Sequence, residues 1–440
     1  MPANARRPSL PRRATLAVAL AATATIATIG ATSLTGPAQA AGPAGSRAGA
    51  SNVVVEWNRT LLTLVQTAGA QPATIQPTRD FAIMSAAVYD AVDAIDPDHP
   101  QYLLHLRARN GASQAAAAAQ AAHDVLIAMF PTSAGTLDQQ LASDFAAIAP
   151  DQTRADGAQV GARAAADLLQ IRATDGSASR PPPYQSTGAA GDFRPTPPGF
   201  AAPVFTHWSA VRPFVLRRSS QFRPPPPAAL SSPAYAAAIN EVKSLGQKTS
   251  TSRSAEQTTI ATFWAAPIQN YWNAIAGDVA VARRDDIETS AKTFALLDLG
   301  LADATIAMYD AKYTYRLWRP ITAIRLAGAD GNPLTTGDPT WTPLSATPAD
   351  PSYPGAHSTL SAAAATILTS LYGDEVSFTL SSPTRSGTTR SFDSFRAAAT
   401  EAGLSRIYAG VHTRLDHEAG LTLGDQVGRF TLHHALHQRP

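Results

Sequence analysis

Cysteine is absent from all 440 residues, which excludes disulfides, thiol nucleophiles and cysteine-held metal sites at once. The fold must therefore hold by packing alone. Charge is sparse, at 15% of residues, and alanine runs take its place, as suits helices packed closely through small side chains. Strand-length alternation is almost missing, with Val376–Leu380 the one candidate. No stretch after the first forty residues approaches the length needed to span a bilayer, and no internal repeat is visible. The length allows one large domain or two of ordinary size, each with a proper core.

The first forty residues read as an export signal. Arg6, Arg7, Arg12 and Arg13 precede an apolar, small-residue run from Ala14 to Ile29, and Ala38-Gln39-Ala40 fits a cleavage site. The sequence after Arg12-Arg13 fits a twin-arginine signal poorly, so the route stays open. Thr and Gly interrupt the run, which disfavours a membrane anchor. The mature chain is expected outside the cytoplasm without a membrane span. The full chain carries a formal charge of +2; taking the four leader arginines from its 35 basic residues leaves 31 against 33 acidic, or −2. Such a balance gives no general attraction to nucleic acid or anionic lipid. Any cluster of cations then has a local purpose.

From Asn52 to about Asp175 the pattern is helical. Phe81, Met84, Val88, Val92 and Ile95 form one apolar stripe, bounded by Pro77-Thr78 and Pro97. Further runs at Ala115–Phe130, Leu137–Ile148 and Ala155–Ile171, joined by short turns, make residues 41–180 an N-terminal helical bundle. His99, His105 and His123 lack a second ligand at helical spacing and read as structural or surface residues. The Asp90/Asp93 pair is expected to face solvent or cap a neighbour. Residues 181–230 differ in kind. Pro181–Pro183, Pro195, Pro197, Pro198 and Pro224–Pro227 block helix propagation, while Tyr184, Phe193, Phe200, Phe205, Trp208, Phe214 and Phe222 are too apolar for a disordered linker. An ordered, extended connector follows, either roofing a pocket or simply wrapping the helices. Helical periodicity resumes over Pro233–Leu245, Ala255–Val281 and Asp286–Trp318, and residues 231–440 form a C-terminal helical domain. The fold class is all-α: two packed helical bundles and a proline-rich aromatic connector.

Three stretches of that domain carry chemistry. In AKYTYRLWRP, Lys312 and Arg319 stand seven residues apart, about two helical turns; Arg316 can join them or pair with Asp310 or Tyr309. In PSYPGAHSTLSAAAATIL a helix begins near Ala356 after the Pro354-Gly355 break. Its first turn offers free N–H groups to an oxyanion, with His357 beside them. In SRIYAGVHTRLDHEAG, Arg406 adds a forked cation, and Asp416 lies one helical turn from His412, close enough to fix its tautomer. Together they supply what a tetrahedral, multiply charged oxyanion requires: three cations, an apical imidazole, and an acid/base opposite.

With Lys312 six residues before Arg319-Pro320, then PGAH at 354–357, then Ser405-Arg406, His412 and Asp416, the chain resembles the superfamily of vanadium-dependent haloperoxidases and type 2 phosphatidic acid phosphatases, to which class A bacterial acid phosphatases also belong. DAKYTYRLWRPITAIR, SRIYAGVHTRLDHEAG, NVVVEWNRTLL and Phe263-Trp264 look most like its exported bacterial haloperoxidase-like branch. The resemblance implies an all-α fold of two bundles, with an oxyanion site in the C-terminal one. It implies that Lys312, Arg319 and Arg406, with the backbone at Gly355 and Ala356, hold the oxygens of vanadate or phosphate. His412 would bond vanadium or attack phosphorus, oriented by Asp416, and His357 would be the general acid/base. The signature serine and glycine are Gly355 and Ala356 here, so a hydroxyl donor worth about 1 kcal/mol is missing. The implied activity is halide oxidation by hydrogen peroxide. The alternatives are an acid phosphatase acting on phosphate esters through a phosphohistidine, and a non-catalytic oxyanion binder. A divalent-metal reading of His412, Asp416 and His417, extended by His433, His434 and His437, is opposed by the neighbouring cations.

Overall fold

The computed structural model describes residues 52–436 except 68, 70–74 and 97–99; the leader, the Ala38–Ala40 cleavage site, Pro97, His99 and His437 lie outside the described residues. Thirteen α-helices, three short 3-10 turns and one two-stranded hairpin account for the regular structure among them. The sequence sets most helix starts through capping side chains, which satisfy amide groups the first turn leaves free. Helix α1 (Val53–Gln66) is capped by Asn52, whose amide also bonds Asp285 O, Asp286 O and the Ser290 hydroxyl, tying the first helix to the start of α9 (Ile287–Tyr315). Between these lie α2 (Gln76–Asp93), α3 (Gln114–Met129), α4 (Ala134–Ala146), α5 (Gln152–Arg172), α6 (Pro233–Leu245), α7 (Ala255–Phe263) and α8 (Ile268–Arg283).

Helix α9 is the axis of the molecule. It packs on α2 and on α11 (Ala356–Tyr372) and α13 (Arg414–His434), so one hydrophobic core runs from Val53 to Leu436. Being covered on every side, α9 buries even its carboxylates. Asp298 accepts from the Ser85 hydroxyl at 2.6 Å and Asn273 at 3.1 Å, while Asp303 accepts three backbone amides, those of Phe214, Val215 and Leu216, each at 2.7 Å. Those amides belong to the connector, which is thereby pinned to the central helix. Phe193, Trp208 and Phe214 of the connector are buried, although Phe200 is 62% exposed. Pro197 and Pro198 line one side of an open pocket of about 270 Å³ with Ile321, Arg325 and Leu344.

Several sequence expectations need correction. Asp90 and Asp93 are buried, and Asp90 accepts the amides of Tyr102, Leu103 and Leu104 in a non-helical loop between α2 and α3. The Ala255–Val281 run is two helices, broken at Trp264–Pro267, because proline cannot donate the next helical bond. The strand near Val376–Leu380 is β1 (Phe378–Ser381), paired antiparallel with β2 (Thr389–Phe392), a partner too polar to be read from alternation. Helix α9 stops at Tyr315, where Arg316 takes a left-handed conformation with φ 53°. Arg316 then turns to the connector, bonding Tyr184 and Asp192, while Asp310 pairs with Arg223.

Helix α13 approaches α11 through Gly420, Gly424 and Gly428, four residues apart on one face. A Cβ on Gly424 would lie 2.0 Å from Thr359 O, so only glycine allows this spacing. Gly424→Ala is expected to lose roughly 3 kcal/mol or more, on the scale of strained overpacking in a core. Denaturant unfolding measures it, and a loss below about 1 kcal/mol would show that the helices can slide apart without penalty.

Candidate active site

The site is assembled where α9, α11 and α13 converge with α10 (Pro320–Arg325) and the end of α12 (Phe395–Tyr408). Lys312 lies in the last turn of α9. Arg319 is not on that helix but is the N-cap of α10, where Pro320 starts a new helix after the Arg316 reversal. The two cations meet because both reach one carboxylate, Asp350, which the sequence reading did not single out. Arg319 binds its Oδ1 and donates from Nε to its backbone oxygen at 2.7 Å; Lys312 Nζ stands 3.4 Å from the same Oδ1, and Tyr309 donates to Oδ2 at 2.8 Å. Burial pushes the Asp350 carboxyl up, but Lys312 and Arg319 outweigh it and bring it to about 2. Lys312 has no exposed surface; burial lowers it to about 8. The carbonyls of Pro351 and Ser352 take its other donors.

His412 lies before α13 rather than on it. Thr413 is the N-cap and Asp416 closes a capping box with it, so the carboxylate folds back onto the preceding residue. Asp416 Oδ2 accepts from Thr413 N and the Ser352 hydroxyl, both at 2.7 Å, and lies 3.3 Å from His412 Nδ1. On the other side Arg319 NH1 approaches His412 Nε2 at 3.1 Å. A guanidinium can only donate. Nε2 must therefore carry the lone pair and Nδ1 the proton, given to Asp416. Burial, reinforced by Arg319, lowers the His412 ring to about 3, so it is neutral.

Arg406, in the last turn of α12, is the cation without a counter-ion. It is buried, no carboxylate pairs with it among the described residues, and its NH1 has no acceptor. Burial and then Arg319 lower it to about 10, so it stays charged. His357, half-buried in the first turn of α11, donates from Nε2 to Trp264 O at 2.9 Å. Burial first and Arg406 next hold its ring well below the ordinary value, leaving Nδ1 as a free base. No side chain caps α11. The Gly355 amide is spent on Asp416 O at 2.9 Å, so the amides of Ala356 and the residues after it are the ones left to donate at this helix start. The Gly355 N–H, expected to face the oxyanion, donates to Asp416 O in this structure.

The structure thus brings Lys312, Arg319, Arg406, His357, His412 and Asp416 together. It separates the tail histidines His433 and His434, which are exposed. His417 bonds the Ser358 hydroxyl at 2.9 Å instead of joining His412, and no group of three metal-ligating side chains forms among the described residues. No described helix is long and apolar enough to cross a membrane.

His417 offers a test of these electrostatics. Burial lowers its ring to about 4. Between that value and about 6.5 the unfolded chain binds a proton that the folded chain does not, so stability falls as pH falls through this window. Asp90 and Asp298, raised by burial to about 7, act with the opposite sign. The parent profile is therefore a difference of terms. His417→Gln removes one of them, and between pH 6 and 4.5 its stability should decline less steeply than the parent's by about 1.4 kcal/mol per pH unit. Parallel denaturation profiles would show that His417 is protonated in the folded protein.

Residues 292–439 match the family of the VCPO second helical-bundle domain. Vanadium chloroperoxidase of Curvularia inaequalis is 30% identical over 153 residues, 29% of this chain, and the match spans only 24% of that relative's length. The crystal structure of a bacterial vanadium-dependent iodoperoxidase superposes with a TM-score of 0.74 at 26% identity, covering 88% of this chain and 97% of that one. A holo-type bacterial vanadium-dependent chloroperoxidase superposes with a TM-score of 0.65 at 16% identity over 86% of this chain and 96% of that one, a likeness of fold.

Proposed function

We propose, for a chain of the vanadium haloperoxidase superfamily, that the cradle holds vanadate and that the protein oxidises a halide with hydrogen peroxide. The observation that carries this reading is Arg406: a buried guanidinium with an orphaned NH1 is costly unless an anion receives it. The donor set fits a tetrahedral oxyanion. Arg406 and Arg319 would hold its oxygens, Lys312 would add charge, the first-turn amides of α11 would supply neutral donors, and His412 Nε2 would offer its lone pair to the central atom. When bound, vanadate supplies Lewis-acid activation of peroxide without changing its own oxidation state.

The chain's own residues do the rest. Asp416 holds the Nδ1 proton of His412, which keeps Nε2 aimed and basic. His357 Nδ1 takes a proton from the incoming peroxide, and its neutrality makes it a base rather than an acid at the start of the cycle. The cations withdraw negative charge from the reacting oxygens. Export through the leader in residues 1–40 is part of the same proposal.

The experiment is a paired assay. Full-length protein reconstituted with vanadate should brominate an activated diketone in the presence of peroxide and bromide, and should not do so without vanadate. Hydrolysis of an aryl phosphate in vanadate-free buffer, with vanadate as inhibitor and no bromination, would replace this reading by the phosphatase that uses the same His412 lone pair as nucleophile.

A further inference from the structure

The charge of the cradle is lower than its cations suggest. Lys312, Arg319 and Arg406 contribute three positive charges, Asp350 and Asp416 two negative ones, and His357 and His412 none, leaving a net charge of +1. Asp416 is hydrogen-bonded to His412, Ser352 and the Thr413 amide, none of which is a cation, and reaches Lys312 only through space. Asp350 is different: it lies directly on two of the three cations and is locked there by Tyr309. Lys312 has spent its donors on Asp350 and on the carbonyls of Pro351 and Ser352. Arg319 has given Nε and one NH2 proton to Asp350, and NH1 to Val411 O and His412. Only Arg406 keeps its charge uncompensated. A ligand with one negative charge completes neutrality here. A second charge would be held near the fixed carboxylate with no uncompensated cation left to receive it.

We propose that Asp350 is a specificity-determining residue that sets this site to take tetrahedral oxyanions in their singly charged form. It touches no reacting atom in this assignment and is not a catalytic residue; it acts by cancelling part of the field of Lys312 and Arg319. The assignment rests on the reading of the cradle as an oxyanion site and adds to it the charge state of the ligand.

Perrhenate and sulfate test it, because both are tetrahedral and their charges, −1 and −2, stay fixed across neutral pH. Affinities of the full chain for each ion are measured by calorimetry at constant ionic strength, in the parent and in Asp350→Asn, which keeps the side-chain shape. Removing a nearby unit charge should tighten binding by about tenfold per unit of ligand charge. Perrhenate should therefore gain about tenfold and sulfate about a hundredfold, moving the sulfate-to-perrhenate preference about tenfold. Asp350→Glu, which keeps the charge, should hold the parent ratio. Asp350→Ser repeats the neutral arm with a smaller side chain if the asparagine variant does not fold. An unmoved ratio in the neutral variants that still bind both ions overturns the assignment and leaves the cradle standing. Binding of neither ion by the parent or any variant overturns the cradle reading as well.

Discussion

Arg406→Met is expected to stabilise the unliganded protein and to abolish its stabilisation by phosphate. In the parent, Arg406 is 7% exposed, lacks an ion-pair partner among the described residues and lies close enough to Arg319 to be repelled by it. Exchanging a buried, uncompensated charge for an apolar side chain of similar length removes that burden, a gain of about 2–4 kcal/mol on the scale of buried ionic groups. For a domain of this size the gain is several degrees in melting temperature. The ligand side goes the other way. An anion present at a hundred times its dissociation constant adds about 2.7 kcal/mol to a protein that binds it, and this increment should vanish with the cation that receives it. Thermal unfolding with and without millimolar phosphate reads both effects. A variant that melts below the parent and still responds to phosphate would mean that Arg406 has a partner and that the anion binds elsewhere.

His412→Ala should lower vanadate affinity at least a hundredfold and halide oxidation at least a thousandfold, while phosphate affinity falls about tenfold or less. The asymmetry follows from what the ring does. Phosphate is held by charge and N–H donors, and Arg319, Arg406 and the α11 amides all survive the substitution. Vanadate also uses the Nε2 lone pair, which the Asp416 contact keeps unprotonated and which Arg319 NH1 would yield to the ligand. The fold should persist, because Asp416 keeps Ser352 and the Thr413 amide. Equilibrium dialysis against vanadate and calorimetry with phosphate separate the two ligands. Equal losses for both would make His412 a hydrogen-bonding residue rather than a ligand to the central atom.

The site was legible where its residues lie in compact motifs. Lys312, Arg319, Arg406, His357, His412 and Asp416 could be named because spacing within three short stretches carries them, and the structure brings these stretches together. The reasons given by spacing were less sound than the contacts. Lys312 and Arg319 stand two helical turns apart in the sequence, yet the left-handed Arg316 ends the helix between them, Pro320 starts a new one after Arg319, and a shared carboxylate gathers them. His412 and Asp416 meet through an N-cap; Thr413 with an acid three residues on was the visible signal for it. Asp350 escaped because nothing along the chain links position 350 to 312 or 319. Its signal was compositional: an acid beside the helix-start motif in a region with few charges. Asp298 and Asp303 escaped, and the burial of Asp90 was missed, for a similar reason, since burial with amide or hydroxyl donors is a property of the packed fold and leaves no periodicity.

The glycine contact between α13 and α11 has a further consequence for how the protein tolerates change. Backbone rests on backbone there, at Gly420 against Gly355 O and at Gly424 against Thr359 O. The gap between the imidazole carried at the head of one helix and the amides at the head of the other is thus gauged by main-chain atoms, like the fixed jaws of a calliper. Outer-layer side chains can drift through many substitutions without altering that bite, whereas a single methyl group in the hinge of the gauge would open it.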